Sequence, residues 1–241
     1  MRLLILLSEE FTVYRYETHL HTSPASRCAH ASVEESVNFY KALGYAGIFI
    51  TNHFLDGNFG GDRTLSYEKQ LDLYFADYYE AKKHEENGFS VFLGVEHSYR
   101  GTDFLVYHLA PEWYYDHPEC LTIKKSELLP LMQETGALII QAHPFREATY
   151  IDHIRLFPRA VHGIEVLNAS RNDAENAMAA LFADHYGLLH FAGSDNHSAA
   201  MQGRLGGMES VTPVPNERVF AERVLAGEMH PFVIDNPMKS E

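Results

Sequence analysis

Two histidines stand two residues apart in Thr18-His19-Leu20-His21-Thr22. On an extended strand, residues i and i+2 point to one face. Both imidazoles can therefore reach one ion while Leu20 packs on the other side. Similar placements recur along the chain. His53 follows the apolar run GIFITN, Glu96 follows SVFLGV, and His108 follows DFLVY. His143 follows ALIIQA, and Asp195 and His197 follow LLHFAGS within Gly-Ser-Asp-Asn-His. Each polar residue falls at or just past the C-terminal end of an expected strand. Six histidines and two carboxylates exceed the ligand set of one ion. They suit two or three divalent cations, with a carboxylate able to bridge a pair. Mixed imidazole and carboxylate ligands fit Zn, Mn or Fe equally.

Strands and helices must alternate to place those residues. Phe11–His21 reads as a first strand, Val33–Leu43 as a helix with Ser32 as N-cap and Gly44 as its stop, and Tyr45–Thr51 as a strand buried on both faces. Ser66–Asn87 carries Tyr67, Leu71, Tyr74, Tyr78 and Ala81 along one helical face, which is core patterning, and Gly88 ends it. Phe89–Glu96 and Asp103–His108 read as two strands joined by a Tyr-Arg-Gly-Thr turn. A helix over Ser126–Thr135 precedes strands at Ala137–Gln141 and Gly163–Leu167. Asp173–Tyr186 is a helix and Leu188–Gly193 a strand, followed by a helix at Asn216–Leu225 and a strand at Met229–Ile234. This alternation predicts parallel βαβ units, about seven of them. A barrel built so places its chemistry at the C-terminal strand ends.

The other histidines lack that placement. His84, His117, His153, His185 and His230 fall in helices or loops and read as surface residues. His162 and His190 lie at the wrong ends of strands, and His97 points away from Glu96. Cys28 and His30, in the loop after the first strand, are both within reach of the site.

HLHT at 19–22, ITNH at 50–53, GVEH at 94–97, AHP at 142–144 and GSDNH at 193–197 resemble, in order, the motifs of the polymerase and histidinol phosphatase (PHP) family. The resemblance implies an α/β fold, a distorted, TIM-like (β/α)7 barrel. It implies two or three metals held by His19, His21, His53, Glu96, His108, His143, Asp195 and His197, with Glu96 bridging. It also implies a metal-dependent phosphoesterase that hydrolyses a small phosphomonoester, as histidinol or nucleotide phosphatases do, by a hydroxide generated on the metals. The sequence departs from the pattern at Asn52, where an Asp is usual, and at Cys28 and His30, where a third-metal ligand is expected.

Phosphate needs counter-charge beyond the metals, and the planar fork of arginine matches it. Arg146, three residues after His143, is the first choice and Arg204 the second, with Arg27 and Arg171 behind them. Glu96, Asp195, Arg146 and Arg204 are the expected catalytic residues. No Gly-x-Ser-x-Gly or P-loop sequence is present. The alternatives are an amidohydrolase-like metal enzyme and a non-catalytic accessory PHP module.

Composition bounds these readings. The 241 residues carry 19 Lys+Arg against 33 Asp+Glu, a formal charge of −14, which argues against a non-specific nucleic-acid binder. With 46% apolar residues, the chain is expected to form one domain over residues 1–241. Two cysteines imply no disulfide scaffold. The apolar run at residues 3–7 is too short for a signal peptide or membrane span, so a cytoplasmic protein is expected. The expected partner is a small phosphorylated substrate.

Overall fold

The structure is a computed structural model that describes residues 12–239. Phe11, the expected start of the first strand, and the apolar run at residues 3–7 lie outside the described residues. Nine strands form one sheet: β1 (Tyr14–Glu17), β2 (Gly47–Ile50), β3 (Ser90–Tyr99), β4 (Thr102–Tyr107), β5 (Leu138–Ala142), β6 (Gly163–Asn168), β7 (Leu189–Gly193), β8 (Arg204–Ser210) and β9 (His230–Asp235). Around it lie α1 (Val33–Ala42), α2 (Tyr67–Lys82), α3 (Pro111–Asp116), α4 (Lys125–Glu134), α5 (Asp173–Tyr186) and α6 (Glu217–Leu225).

The spatial order is β7-β6-β5-β4-β3-β2-β1-β8-β9. β1, β2 and β3 run parallel, as do β5, β6 and β7. β4 runs antiparallel to both its neighbours, and β8 and β9 form an antiparallel pair beside β1. The sheet curls until the end of β7 meets β8, where the Ser194 hydroxyl accepts from Gly206 N at 2.7 Å. The result is a distorted, nearly closed TIM-like barrel.

β8 has no counterpart among the strands expected from the sequence. Its glycines serve the seam. A Cβ on Gly206 would sit 2.6 Å from the Gly193 carbonyl oxygen, and one on Gly207 would sit 2.1 Å from that of Tyr16. Only side-chain-free backbone lets β8 approach both β1 and β7.

The helices follow their local signals. Ser32 caps α1 in a capping box with Glu35, and Asn172 caps α5 with Glu175. Gly187, at φ 65°, ends α5. α2 stops at Lys82, short of Asn87, because Glu85 turns its carboxylate to accept from Val91 N at 2.9 Å on β3. Its stripe is core as expected: Leu71, Tyr74 and Ala81 are buried, and Tyr67 and Tyr78 pack against them.

The barrel interior is aromatic. Tyr16, Phe49, Phe92, Tyr107 and Phe191 converge with Phe220 of α6 in one buried cluster. At its upper edge the Tyr107 hydroxyl donates to the Thr18 carbonyl at 2.7 Å, one residue before His19. The packed interior thus braces the chain where the first histidines leave β1.

Replacing Gly206 by Ala forces backbone apart at the seam. Urea unfolding should show a loss of about 3 kcal/mol, the upper range for overpacking. Gly203→Ala, whose new methyl would meet only the flexible end of Lys239 at 3.5 Å, should cost under about 1 kcal/mol.

Candidate metal centre

Four strand ends converge at one mouth of the barrel. His19 and His21 follow β1, His53 follows β2, His143 follows β5, and Asp195 and His197 follow β7. Glu96 projects from within β3. Short parallel bridges fix the loops: Leu20 pairs with Asn196, and His53 with Glu96.

Glu96 is the hub. Its Oε1 lies 3.3 Å from His19 Nε2 and 3.4 Å from His143 Nε2. Its Oε2 lies 3.4 Å from His21 Nε2 and 2.5 Å from His53 Nδ1. Asp195 Oδ1 approaches His19 Nε2 and His197 Nδ1 at 3.5 Å and His21 Nε2 at 3.4 Å. Four overlapping groups of donors lie within 4.8 Å: His19, His21 and Glu96; His19, His143 and Asp195; Glu96, Asp103 and His143; and His21, His53 and His197.

Several of these atoms have no hydrogen-bond partner although they are buried. They are His19 Nε2, His21 Nε2, His53 Nδ1 and both oxygens of Glu96. An unpartnered buried polar atom is costly, and here five of them face one another. The outer nitrogens, by contrast, are held. His19 Nδ1 meets Glu165 Oε1 at 2.8 Å, and His21 Nδ1 meets Ser26 Oγ at 3.1 Å. This is the arrangement that presents a free imidazole nitrogen to a metal. The donor set therefore fits divalent cations.

Electrostatics agree. Burial alone would raise the Glu96 carboxyl, but His53 and His19 hold it well below the usual carboxylate range. Burial likewise opposes ionisation of Asp195, and His19, His21 and His143 outweigh it. Burial disfavours a charged His19, yet Glu165, Asp195 and Glu96 push its pKa well above the ordinary value. Burial and the neighbouring His197 and His53 drive His21 the other way. The centre thus holds ionised carboxylates in a dry setting, with positive charge required beside them.

Backbone strain collects at the same place. His143 and Asp195 have φ of 26° and 53°, a region that costs non-glycine residues free energy. Glu165 helps hold the first kink by accepting from His143 N at 3.0 Å. Asn168 donates to the same Glu165 oxygen at 2.9 Å. On the other side, Asn52 Oδ1 accepts from Thr22 N and Ser26 Oγ, both at 2.7 Å. Asn52 thus supports the turn that orients His21, and its departure from the usual Asp leaves that support in place.

Two expected residues lie elsewhere. His108 follows β4, and β4 runs antiparallel to β3, so its C-terminal end points to the opposite mouth. There His108 lies beside Tyr78, Leu93, Pro111 and Glu217. The same reversal brings the start of β4 to the centre, and Asp103 stands there instead, 4.0 Å from His143 Nε2. Arg204 is turned outward, bonded to Asp173 Oδ1 at 2.9 Å and to the Arg171 carbonyl. It lines a groove outside the barrel with Val166 and Pro231.

Above the donors opens a cavity of about 630 Å³, lined among others by Cys28, His53, Asp103, Arg100, Arg146 and Arg171. Arg146 Nη2 is 3.1 Å from Asp103 Oδ2. Arg27 is exposed and does not line the cavity. Cys28 faces His53 and His197. Burial opposes ionisation of its thiol, but hydrogen bonds with these two residues bring its pKa down to about 6. His30 points instead into an apolar groove beside Glu35 and Phe39. His97, as expected, faces away from Glu96 and bonds Asp56 at 2.9 Å, which also pairs with buried Lys125.

Asp103 and Glu165 were absent from the sequence expectations. The turn before Asp103 marks a strand reversal, and the lone charge in the buried run GIEVL marks Glu165, so both carried a signal.

The fold is shared with several solved structures. A two-domain protein from Bacteroides vulgatus containing a predicted PHP-like metal-dependent phosphoesterase superposes with a TM-score of 0.64 at 16% identity, over 92% of this chain and 65% of that one. The chain therefore spans just under two thirds of that protein. PsfC from Pseudomonas syringae gives 0.62 at 15% identity, over 92% and 91% of the two chains. The lesion-specific endonuclease PfuEndoQ from Pyrococcus furiosus gives 0.60 at 13% identity, over 91% and 58%. No protein-family model and no curated protein sequence matches the chain. Among the described residues, no helix is long and apolar enough to cross a membrane.

Glu165 should matter although it faces away from the cavity. Glu165→Gln keeps the shape and removes the charge that orients His19. Equilibrium dialysis against Zn or Mn should show affinity lowered about 10- to 100-fold, the usual effect of removing such an outer partner.

Proposed function

We propose that this protein is a metal-dependent phosphoesterase of the PHP type, acting on a small phosphomonoester. One observation carries the reading: five unpartnered buried donor atoms converge beneath a cavity whose rim carries arginines. The shared fold supports it.

His19, His21, Glu96 and Asp195 would hold one cation. Glu96, His143 and Asp103 would hold a second, with Glu96 bridging. His53 and His197, with Cys28 as the thiol donor, would hold a third. When bound, such cations supply a water acidic enough to lose its proton near neutral pH and positive charge for the phosphoryl oxygens. The chain's own residues do the rest. Glu165 and Ser26 fix the outer nitrogens of His19 and His21, so the inner ones stay aimed at the centre. Asp103 holds the Arg146 guanidinium over the cavity, where its unpartnered, buried Nε and remaining donors can grip a phosphoryl edge. The rim arginines favour a phosphate ester over an uncharged amide or lactone.

Phosphate release from small phosphomonoesters, set against turnover of amides and lactones, is the direct test. Turnover of the uncharged substrates alone would replace this reading with an amidohydrolase-like one. Elemental analysis should find about two to three metal equivalents, as a multinuclear hydrolase requires. Glu96→Gln should lower both metal content and activity far more than His84→Gln on the outer surface.

Cys28 gives a spectroscopic check. Protein loaded with Co²⁺ should show thiolate-to-cobalt charge-transfer absorption, because a soft thiolate binds this ion directly. Cys28→Ser should abolish that band. Arg146→Ala should spare metal content and lower kcat/KM about 10- to 100-fold, matching the 1.5–3 kcal/mol of a hydrogen bond to a charged group. Arg146→Lys should recover only part, lacking the bidentate fork.

A further inference from the structure

The cavity above the metal centre holds more positive charge than one phosphoryl group needs. Three arginines line it, one from each of three successive positions around the rim. Arg100 sits at the tip of the β3–β4 hairpin, Arg146 after β5, and Arg171 after β6. Their pairing differs. Arg146 is paired with Asp103 at 3.1 Å. Arg171 and Arg100 are in no ion pair among the described residues.

Arg171 is also built into place. Its Nε is buried without a hydrogen-bond partner. Its amide donates to the Asn168 carbonyl at 3.1 Å, and its own carbonyl accepts from Arg204. Arg204 is anchored in turn by Asp173. The preceding Ser170 hydroxyl reaches the carbonyls of Ser194 and Asp195 at 2.9 and 3.1 Å. That ties the residue before Arg171 to the backbone of a proposed metal ligand. On the far side, Arg155 donates to the Arg100 carbonyl at 2.6 Å and steadies the hairpin tip. An unpaired guanidinium at a cavity lacks the counter-charge that a bound anion supplies.

We infer that the substrate carries a second anionic group, apart from the scissile phosphate, and that Arg171 receives it, with Arg100 adding longer-range attraction from the hairpin tip. The substrate class is then a small organic phosphate bearing a further phosphate or carboxylate. The cavity of about 630 Å³ has room for both groups and a short spacer. The inference rests on the phosphoesterase reading, with the first phosphate at the metals and Arg146.

The test uses the metal-loaded protein and non-hydrolysable probes. Calorimetry compares propylphosphonate, 4-phosphonobutyrate and propane-1,3-bisphosphonate. One or both doubly anionic probes should bind about 10- to 100-fold more tightly than propylphosphonate, the range of a charge-assisted contact. Which of them does so separates a carboxylate from a second phosphate. In Arg171→Gln that advantage should shrink to less than about threefold, with propylphosphonate affinity changed by less than that, and Arg100→Gln should show a smaller loss in the same direction. Equal affinity for all three probes in the wild type would overturn the inference. So would an advantage that survives in both variants, which would assign it to the metals. Turnover of phosphate monoesters with and without a second anionic group in the same preparation reports on the underlying reading. Turnover with no preference sinks only the second-anion site. Preference without turnover leaves the anion site standing and removes the phosphoesterase assignment.

Discussion

A carboxylate taken wholly out of water, with no hydrogen bond to either oxygen, is the constraint on which this structure turns. Glu96 is fully buried and surrounded by imidazole nitrogens of His19, His21, His53 and His143. An isolated ionised carboxylate in such a place is prohibitively costly and would ordinarily take up a proton. Here neighbouring positive charge keeps it ionised. Protons on the imidazoles can supply that charge, as the raised pKa values of His19 and His53 show. Protonated imidazoles crowded this closely repel one another, however. Divalent cations satisfy the carboxylate and leave the imidazoles neutral, so the donor set is better matched to metal than to protons.

The barrel is arranged to make that convergence rigid. Beneath the centre lies a close-packed aromatic interior, which resists shifts in the strand ends. Gly193 illustrates how little slack there is. A Cβ at that position would meet the His19 side chain at 2.4 Å and Glu165 Oε1 at 2.8 Å. The pair that orients the first imidazole therefore packs directly on bare backbone of β7. The same economy at Gly206 lets the sheet close, and closure brings Asp195 over His19. Seam and site depend on the same short segment, 193–195.

Much of this was legible in the sequence because strand ends leave a local mark. An apolar run followed at once by His, Glu or Asp marked the ends of β1, β2, β5 and β7, as well as Glu96. It failed at His108 for a physical reason. Hydrophobic patterning says that a strand is buried and says nothing about its direction. A parallel strand presents its C-terminal end to the barrel mouth, and a hairpin partner presents its N-terminal end. The four-residue turn between β3 and β4 contained that information, since so short a link can join only antiparallel strands. Asp103 could have been named from it. β8 was hidden by Gly206 and Gly207, which read as loop yet are needed for close packing. Whether Arg204 faced in or out depended on Asp173, a partner 31 residues away in sequence, and no local pattern carries such a contact.

The division between what is braced and what is open separates chemistry from selectivity. Glu96, His19 and His21 are fully buried, and each imidazole is pinned by an outer partner. Their geometry is therefore independent of which molecule enters. Arg100 and Tyr150 stand on connecting loops above them, and Tyr150 is 72% exposed. Side chains there can change without disturbing the barrel, because little packs on them. The loop after β5 joins the two levels. His143 at its start belongs to the centre, Arg146 reaches the cavity, and Ile151 packs against Gly101 of the hairpin tip. A shift of that loop would move the arginine rim while Glu165 held His143 in place. The loop side chains can thus vary over a fixed set of buried donors.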